Sequence, residues 1–285
     1  DIPQSIWQRT WVLEDFVVES LEINLYQLES GAWLLRGLTG GNADSVDFDS
    51  LYRTLQQVFQ LSLSNVAINM HTFEGEVLRF HDGLATIANR DDTHFLHANL
   101  SLTDSSEEIV LSVEVTDSEL ADMGGQVHVE LPHADYSELF HRQVLEGLSI
   151  DELFGGGSFW FTFAKGELSE FTSELELDTL ALLSSASDSL SLHDISGTVG
   201  LARQSVNDNW ELSLSNFALS WQDLRWSPFN FFVSLKPAKS VVVRADSIDV
   251  SLIAQFAESS GLLSEGARLQ LEQYAPRGKM ENFSL

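Results

Sequence analysis

Apolar and polar residues alternate with a period of two over much of the chain. The pattern is clearest at 109–115, where Ile, Leu and Val occupy the odd positions and Ser112 and Glu114 lie between them. The same alternation recurs at 21–26, 159–163, 174–178, 210–214 and 229–235. Because successive side chains of a strand point to opposite faces, these segments predict strands with one apolar and one polar face, as in antiparallel sheets.

The alternation changes phase between Leu214 and Phe217. A one-residue slip of this kind would send one half of the strand's apolar side chains to the opposite face. We therefore expect a β-bulge or a turn near Asn216, which would keep both halves facing the same way.

Four segments show a helical period instead. They lie at 48–59, 136–144, 252–256 and 267–274. Asp47 or Asp49 would cap the first helix, and Asp135 with Glu138 resembles a capping box for the second. The third helix would stop near Gly261 and the fourth before Pro276. Turns are expected at clusters of Gly, Asn, Asp and similar residues, at 40–42, 89–92, 104–106, 124–125, 164–166 and 205–209.

These elements predict one continuous β-rich body over residues 1–285. No Pro-rich or low-complexity linker divides the chain. A helix followed by a long run of strands occurs twice, which suggests 1–130 and 131–285 as possible sub-units. Hydrophobic residues make up 44% of the 285 residues, enough for a sizeable core, and no run reaches the roughly 18 apolar residues of a membrane-spanning helix.

The charge balance excludes several classes of partner. Asp and Glu number 43 against 15 Lys and Arg, which gives a formal net charge of −28. Phosphate backbones would repel such a chain, so we expect no nucleic-acid partner, and anionic membrane surfaces are disfavoured for the same reason. The chain has no cysteine, which removes thiol catalysis and cysteine-ligated zinc.

Motifs for catalysis and metal binding are weak. His94 and His97 are the closest histidine pair, but positions three apart on a strand point to opposite faces. Asp44, Asp47 and Asp49 only faintly resemble a calcium loop, since its glycine and closing glutamate are missing. Gly155–157 precede Ser158 without a nucleophile motif, so these glycines indicate a turn or close backbone packing. We predict no catalytic residue, no metal and no cofactor, although carboxylate pairs leave a hidden hydrolase open.

Aromatic residues are concentrated in the predicted strands. The chain has 18 Phe and 7 Trp. The simpler interpretation is the core of a closed β-sandwich, since aromatic residues favour strands. The alternative is an apolar sheet face that stays partly open as a groove for a lipid chain. Periodicity does not separate the two, because both need the same alternation.

The second half of the chain resembles a known family. An aromatic strand, a Lys-Gly turn and a second strand occupy 156–168, and Trp226-Ser227-Pro228 and an aromatic-x-Pro-x-Gly motif at 274–278 follow in order. These motifs resemble YhdP-type proteins, members of the AsmA-like family of bacterial envelope proteins related to TamB. The resemblance covers roughly 130–285, and the first half fits by its layout only.

The resemblance implies a fold and a function. Family members carry an amino-terminal helix in the inner membrane, cross the periplasm as a long curved antiparallel β-sheet with an open apolar groove, and take part in phospholipid transport. We therefore expect a mainly β segment with a few short helices that cover the groove in places. It would be an early periplasmic part of an anchored protein, with phospholipid and further segments of the same chain as partners.

Seven residues are the predicted lipid-binding positions, chosen because they share faces of two apolar strands: Phe159, Phe161, Phe163, Phe229, Phe231, Val233 and Leu235. The family has no catalytic residues to carry over, and we expect no enzyme. A closed β-sandwich that acts as a binding or scaffolding module of the envelope remains the alternative.

Overall fold

The computed structural model describes most of the chain. The residues described are 13–29, 33–36, 58–102, 107–116, 122–140, 143–145, 148–184, 187–204, 209–235, 241–259, 265–274 and 277–285. The strands are β1 (Leu13–Val18), β2 (Leu21–Gln27), β3 (Trp33–Arg36), β4 (Val58–His71), β5 (Val77–Arg90), β6 (Thr93–Leu102), β7 (Glu108–Thr116), β8 (Gly124–Asp135), β9 (Gln143–Leu145), β10 (Leu148–Ala164), β11 (Glu167–Ser184), β12 (Ser187–Gln204), β13 (Asn209–Trp221), β14 (Leu224–Leu235), β15 (Val241–Asp249) and β16 (Lys279–Ser284). The helices are α1 (Ser137–Phe140), α2 (Val250–Ser259) and α3 (Glu265–Tyr274).

The described strands belong to one open sheet. Hydrogen-bonded neighbours follow the order β16-β15-β14-β13-β12-β11-β10-β8-β7-β6-β5-β4-β2-β3, with β1 beside β4 and β9 beside β10. This confirms the predicted mainly β fold with an open antiparallel sheet and few short helices. A closed sandwich would need two opposed sheets, whereas these strands form a single one.

Two strands depart from the antiparallel rule. Both β1 and β2 pair with β4 in parallel, at Leu13–Val58 and Leu21–Val66 respectively. The sequence offset is the same for both strands, so together they follow β4 as one interrupted strand. Parallel neighbours need a long connection between them, and the stretch from β2 to β4 includes β3 and residues 37–57.

The chain divides into two compact units. Unit 1 comprises residues 1–132 and 159–168, and unit 2 comprises 133–158 and 169–285. In unit 1, directly paired residues of β1, β4, β5, β6, β7 and β8 form an apolar row, because paired residues of neighbouring strands lie on the same face. The row consists of Phe16, Leu61, Ile87, Leu96, Val113 and Val127.

Unit 2 contains two apolar rows and a buried cluster. One row joins Phe171, Leu201, Leu212, Val233 and Val243. The other joins Val199, Leu214, Phe231, Ala245 and Phe283. The buried cluster consists of Leu190, Ile195, Leu219 and Trp221, each at most 8% exposed. The alternation read from the sequence therefore gives each unit a continuous apolar sheet face.

The predicted bulge at Asn216 is confirmed. The pairing of β13 with β14 shifts register between Leu214 and Phe217, and the φ angle of Asn216 is 48°. The pairing of β12 with β13 shifts nearby, on both sides of Ser196. The extra residue lets Leu214 and Phe217 lie on the same face although they are three positions apart.

The helix predictions are confirmed in part. Helices α2 and α3 match the third and fourth predicted helices. The second prediction was too long, because the helix ends at Phe140 and Val144 belongs to β9, which gains backbone hydrogen-bond partners along β10. Residues 48–57 of the first prediction lie outside the described residues. Its last two positions were wrong, since Val58 and Phe59 begin β4.

The turn predictions are also confirmed only in part. Turns join β5 to β6 at Asp91 and β10 to β11 at Lys165-Gly166, as predicted; positive φ angles of 56° and 69° at the latter fit a type I′ hairpin. The turn at 124–125 was wrong, because both glycines pair with β7 inside β8. The stretches 40–42, 104–106 and 205–208 lie outside the described residues.

The glycines at 155–157 lie inside β10 and not in a turn. A Cβ atom placed on Gly155 would lie 2.5 Å from the carbonyl oxygen of Glu176 and 2.5 Å from the Cα atom of Leu177. The close backbone packing predicted as the alternative to a turn is thus what the structure contains.

Candidate functional site

The first predicted group lies on the apolar face of unit 1. The rings of His128 and Trp160 stack with centroids 4.9 Å apart, so these two side chains share one face. Alternation along β10 then places Phe159, Phe161 and Phe163 on the opposite face, with Val127 of the apolar row. All three phenylalanines are half-buried.

The second predicted group lies on the apolar face of unit 2. Phe231 pairs with Leu214 and Ala245, and Val233 pairs with Leu212 and Val243. Both side chains are half-buried, as is Phe229. The backbone of Leu235 pairs with Trp210 and Val241. The structure describes the backbone of Leu235 and not its side chain.

Edge-on aromatic contacts extend this second patch past the bulge. The ring of Phe229 lies 5.9 Å from that of Phe217 and 6.4 Å from that of Trp226, at interplanar angles of 76° and 73°. These T-shaped contacts are favourable for aromatic pairs and fix the ring of Phe229 in place.

Exposure separates these residues from the core. In the buried cluster, Ile195 and Trp221 are each 4% exposed. The six described candidate side chains are all half-buried, so water or a ligand still reaches them. A packed core residue has no such free surface. Each unit therefore presents an apolar patch that its own described residues do not fill.

A cavity of about 290 Å³ adjoins the patch in unit 2. We call it the α2 cavity, since Leu252 and Ile253 of helix α2 line it. Its other lining residues come from β14, β15 and β16: Arg225, Trp226, Ser227, Pro228, Phe229, Phe231, Ser247, Ile248, Asp249 and Lys279. Two of the predicted lipid-binding residues, Phe229 and Phe231, thus lie in its wall.

Sequence reasoning missed the rest of that lining. Two local features of the sequence point to part of it: the helical period of 252–256, which predicts α2, and Asp249 at the end of a strand. Phe231, Ser247 and Lys279 of the lining lie on three different strands, and nothing local in the sequence brings them together.

Hydrogen bonds fix the start of α2 beside the cavity. Oδ1 of Asp249 accepts from the backbone N–H groups of Ser251 and Leu252, at 3.0 and 3.2 Å. This is an N-cap, which satisfies amide groups that the helix itself leaves unpaired. The chain entering β16 adds two more bonds, since Val250 N donates to the carbonyl of Gly278 at 2.9 Å and Gly278 N donates to Ser251 Oγ at 3.0 Å.

At the bulge, polar side chains form a hydrogen-bonded ladder on the sheet face opposite Phe229 and Phe231. The N–H of Asn216 donates to Oδ1 of Asn230 at 2.9 Å. Asn230 in turn donates twice to the carboxylate of Asp246, from its backbone N–H and from Nδ2, each at 2.9 Å. The backbone hydrogen bond from Asn230, aided by the side-chain bond, lowers the pKa of Asp246. The ladder ties β13, β14 and β15 together beside the apolar rows.

The histidines form local hydrogen bonds. Nδ1 of His94 lies 2.8 Å from Oδ1 of Asn89, and Nδ1 of His97 lies 3.0 Å from Oγ of Ser112. Burial lowers the pKa of His94, against a smaller raising effect from Asp92. Within the described ranges, no three His, Asp or Glu side chains are grouped so that they could hold a metal ion. The calcium-like residues Asp44, Asp47 and Asp49 lie outside those ranges.

Comparison with known families decides the assignment. The model of the YhdP protein family matches residues 1–285. The chain belongs to the YhdP family. The match confirms the resemblance and extends it over the first half, where the sequence supported it by layout only. No curated protein and no solved structure matches the chain.

Membership places the chain among bacterial envelope proteins and indicates a role related to lipid transport there. None of the helices in the described part of the chain is long and apolar enough to cross a membrane.

Proposed function

We propose that this YhdP-family chain binds the acyl chains of phospholipid along its apolar sheet faces. The observation that carries the proposal is the exposure of Phe159, Phe161, Phe163, Phe229, Phe231 and Val233, which share apolar faces and yet are only half-buried. Leu235 is included for its place in the same alternation.

The free energy gained by burying acyl chains is enough for lipid binding without hydrogen bonds or ion pairs to the lipid. Each methylene group that moves from water onto an apolar surface contributes about 0.8 kcal/mol. A chain of about ten methylenes, half of its surface covered, would gain about 4 kcal/mol. A β-sheet satisfies its own backbone groups while its side chains face lipid, which suits this role.

The proposed setting is the periplasm, with the chain as one segment of a conduit between inner and outer membranes. An inner-membrane anchor and further segments of the same chain are the expected partners. With a net charge of −28, a nucleic-acid partner is not proposed. The segment acts by binding, without a catalytic step, a metal or a cofactor.

Mass spectrometry of the gently purified protein tests the proposal. We expect co-purifying phospholipid, and a clear reduction in Phe161→Asp and Phe231→Asp, because a carboxylate on the apolar face resists burial under an acyl chain. If Phe231→Asp loses its cooperative unfolding transition, the milder variant Phe231→Asn replaces it in this test.

Two matched variants control for the added charge. Thr162→Asp and Phe232→Asp place the same group one residue further along β10 and β14, on the opposite face. Phe232 pairs with Arg244 there, whose guanidinium lies 5.8 Å from the phenyl centroid. These variants should retain lipid at the wild-type level. Absence of lipid from the wild type, or equal loss in all four aspartate variants, would overturn the proposal.

A further inference from the structure

In the described strands, five residues other than glycine have a left-handed backbone conformation. Their φ angles lie between 48° and 53°. Each is an Asn or Asp with an apolar residue two positions before it. Asn and Asp tolerate this conformation better than other residues with a side chain. We call them the αL residues: Asn65 in β4, Asp82 in β5, Asp194 in β12, Asn216 in β13 and Asn282 in β16.

A common short sequence surrounds four of the five αL residues. The asparagines of β4 and β13 lie in nearly identical segments, Leu-Ser-Leu-Ser-Asn-Val-Ala at 61–67 and Leu-Ser-Leu-Ser-Asn-Phe-Ala at 212–218. In β12 and β16 the αL residue is likewise followed by an apolar residue and then a serine. Apolar residues three positions apart would lie on opposite faces of a regular strand, so the αL residue between them keeps both on one face.

Strand β12 pairs differently on its two sides. Towards β11 the register runs without a shift past Asp194, which lies opposite Asp178. Towards β13 the register shifts on both sides of Ser196. There β13 carries its own αL residue, Asn216. Because each strand contributes one extra residue, the register beyond the two αL residues returns to its earlier offset.

Strand β4 repeats this arrangement in unit 1. Towards β1 and β2 the pairing keeps one offset on both sides of Asn65. Towards β5 the register shifts on both sides of Val66, and β5 carries its own αL residue, Asp82. The offset again returns to its earlier value beyond the two αL residues. In both strands, the side opposite the straight pairing thus faces a strand with a second αL residue.

Strand β16 shows only the straight half of this arrangement. Its register against β15 has no shift, and Asn282 lies opposite Asp246 as Asp194 lies opposite Asp178. Among the described strands, β16 pairs with β15 alone and stands at the end of the sheet. An edge strand offers its outward backbone N–H and C=O groups for pairing with another strand. The free edge of β16 therefore corresponds to the side of β12 that binds β13.

We propose that the free edge of β16 binds one more strand, and that this strand carries an αL residue like that of β13. Its signature is an apolar residue, any residue, Asn or Asp, an apolar residue, and then Ala or Ser. A bulge bends its strand and displaces the register by one residue, so a neighbour with an equal extra residue keeps its apolar side chains on the correct face. This defines a docking edge for the further segments expected under the proposed function, and it holds whether or not the sheet binds lipid.

A grafted hairpin tests the inference in the whole chain. A copy of residues 198–221 is joined after Leu285, which puts Asn282 in the place that Asp194 has in the original pair of β12 and β13. We expect amide hydrogen exchange in β16 to slow about tenfold or more, because its edge amides gain strand partners. The control graft omits the copied Asn216 and should leave exchange in β16 at the value of the ungrafted chain.

Substitutions at Asn282 separate the backbone conformation from the side chain. In the grafted chain, Asn282→Gly should keep the slow exchange, because glycine adopts a positive φ angle freely. Asn282→Val should lose it, because a β-branched residue resists that conformation. Met280→Val is the matched control, since Met280 lies in the same strand without a positive φ angle, and it should retain the slow exchange.

Three results would overturn the inference. If the complete graft leaves exchange in β16 unchanged, the edge does not take such a strand. If both grafts slow exchange equally, or Asn282→Val acts like Asn282→Gly, the αL residue does not select the partner. If the ungrafted chain forms a dimer by sedimentation and its β16 amides become protected as concentration rises, a second copy occupies the edge instead. None of these results involves lipid, so co-purification of phospholipid tests the proposed function separately.

Discussion

Replacing Gly197 with alanine should destabilise unit 2 far more than the same change at Gly200, three residues further along β12. Gly197 has a φ angle of 130° and lies opposite the Asn216 bulge. An added Cβ would lie 2.7 Å from the Cα atom of Phe217 and 2.8 Å from the carbonyl oxygen of Asn216. Both are backbone atoms, so relief would require β12 and β13 to separate at the bulge.

The magnitude follows from two contributions. A positive φ costs a residue with a side chain about 1–3 kcal/mol, and the forced backbone shift adds about 1–3 kcal/mol. We therefore expect Gly197→Ala to lower the free energy of unfolding by about 2–6 kcal/mol. At Gly200 the φ angle is ordinary and the nearest atom, 2.5 Å from the added Cβ, is Oγ of Ser213, which rotates away. There we expect a change within about 1 kcal/mol of zero.

Urea unfolding measures both variants, since Trp210 and Trp221 in β13 report on the strand that carries the bulge. Gly200→Ala is the matched control for composition and for loss of chain entropy. A midpoint for Gly197→Ala that equals that of Gly200→Ala, at unchanged urea dependence, would refute the account of the bulge.

Two further predictions concern hydrogen-bonded carboxylates. Asp246→Asn should lower the free energy of unfolding by up to about 1 kcal/mol at pH 7, through weaker bonds from Asn230. The pKa of Asp246 is lowered in the folded state, so this difference is complete above the unfolded pKa near 3.9 and is lost as pH falls through the folded pKa. A pH-independent difference, or an equal one in Asp223→Asn at an exposed turn, would contradict the ladder. Asp249→Ala should cost about 1 kcal/mol and speed amide hydrogen exchange in α2 but not in β13; unchanged exchange in α2 would refute the cap.

Period-two patterning predicted the apolar faces because alternation is a local property. The rows through Val113 and Phe231 follow directly from it, and the phase slip before Phe217 located a bulge without any structure. Helices α2 and α3 were predictable for the same reason, since their apolar period lies within ten residues.

Strand pairing was not predictable in this way. The parallel pairing of β1 and β2 with β4 depends on contacts between residues 45 positions apart, such as Leu13 with Val58. The α2 cavity likewise depends on residues of separate strands, such as Phe229 of β14 and Lys279 of β16. Val144 is a further example. A short helical pattern predicted a helix there, but pairing of β9 with β10 makes the segment a strand.

The most direct test of lipid binding by the apolar faces is site-specific photocrosslinking. Benzoylphenylalanine is introduced singly at each position from Phe229 to Val233 and from Phe159 to Phe163, and phospholipid adducts are counted by mass spectrometry. The account predicts adducts at the odd positions of both strands and few at the even ones. Adducts without this alternation, or none at any position, would contradict it.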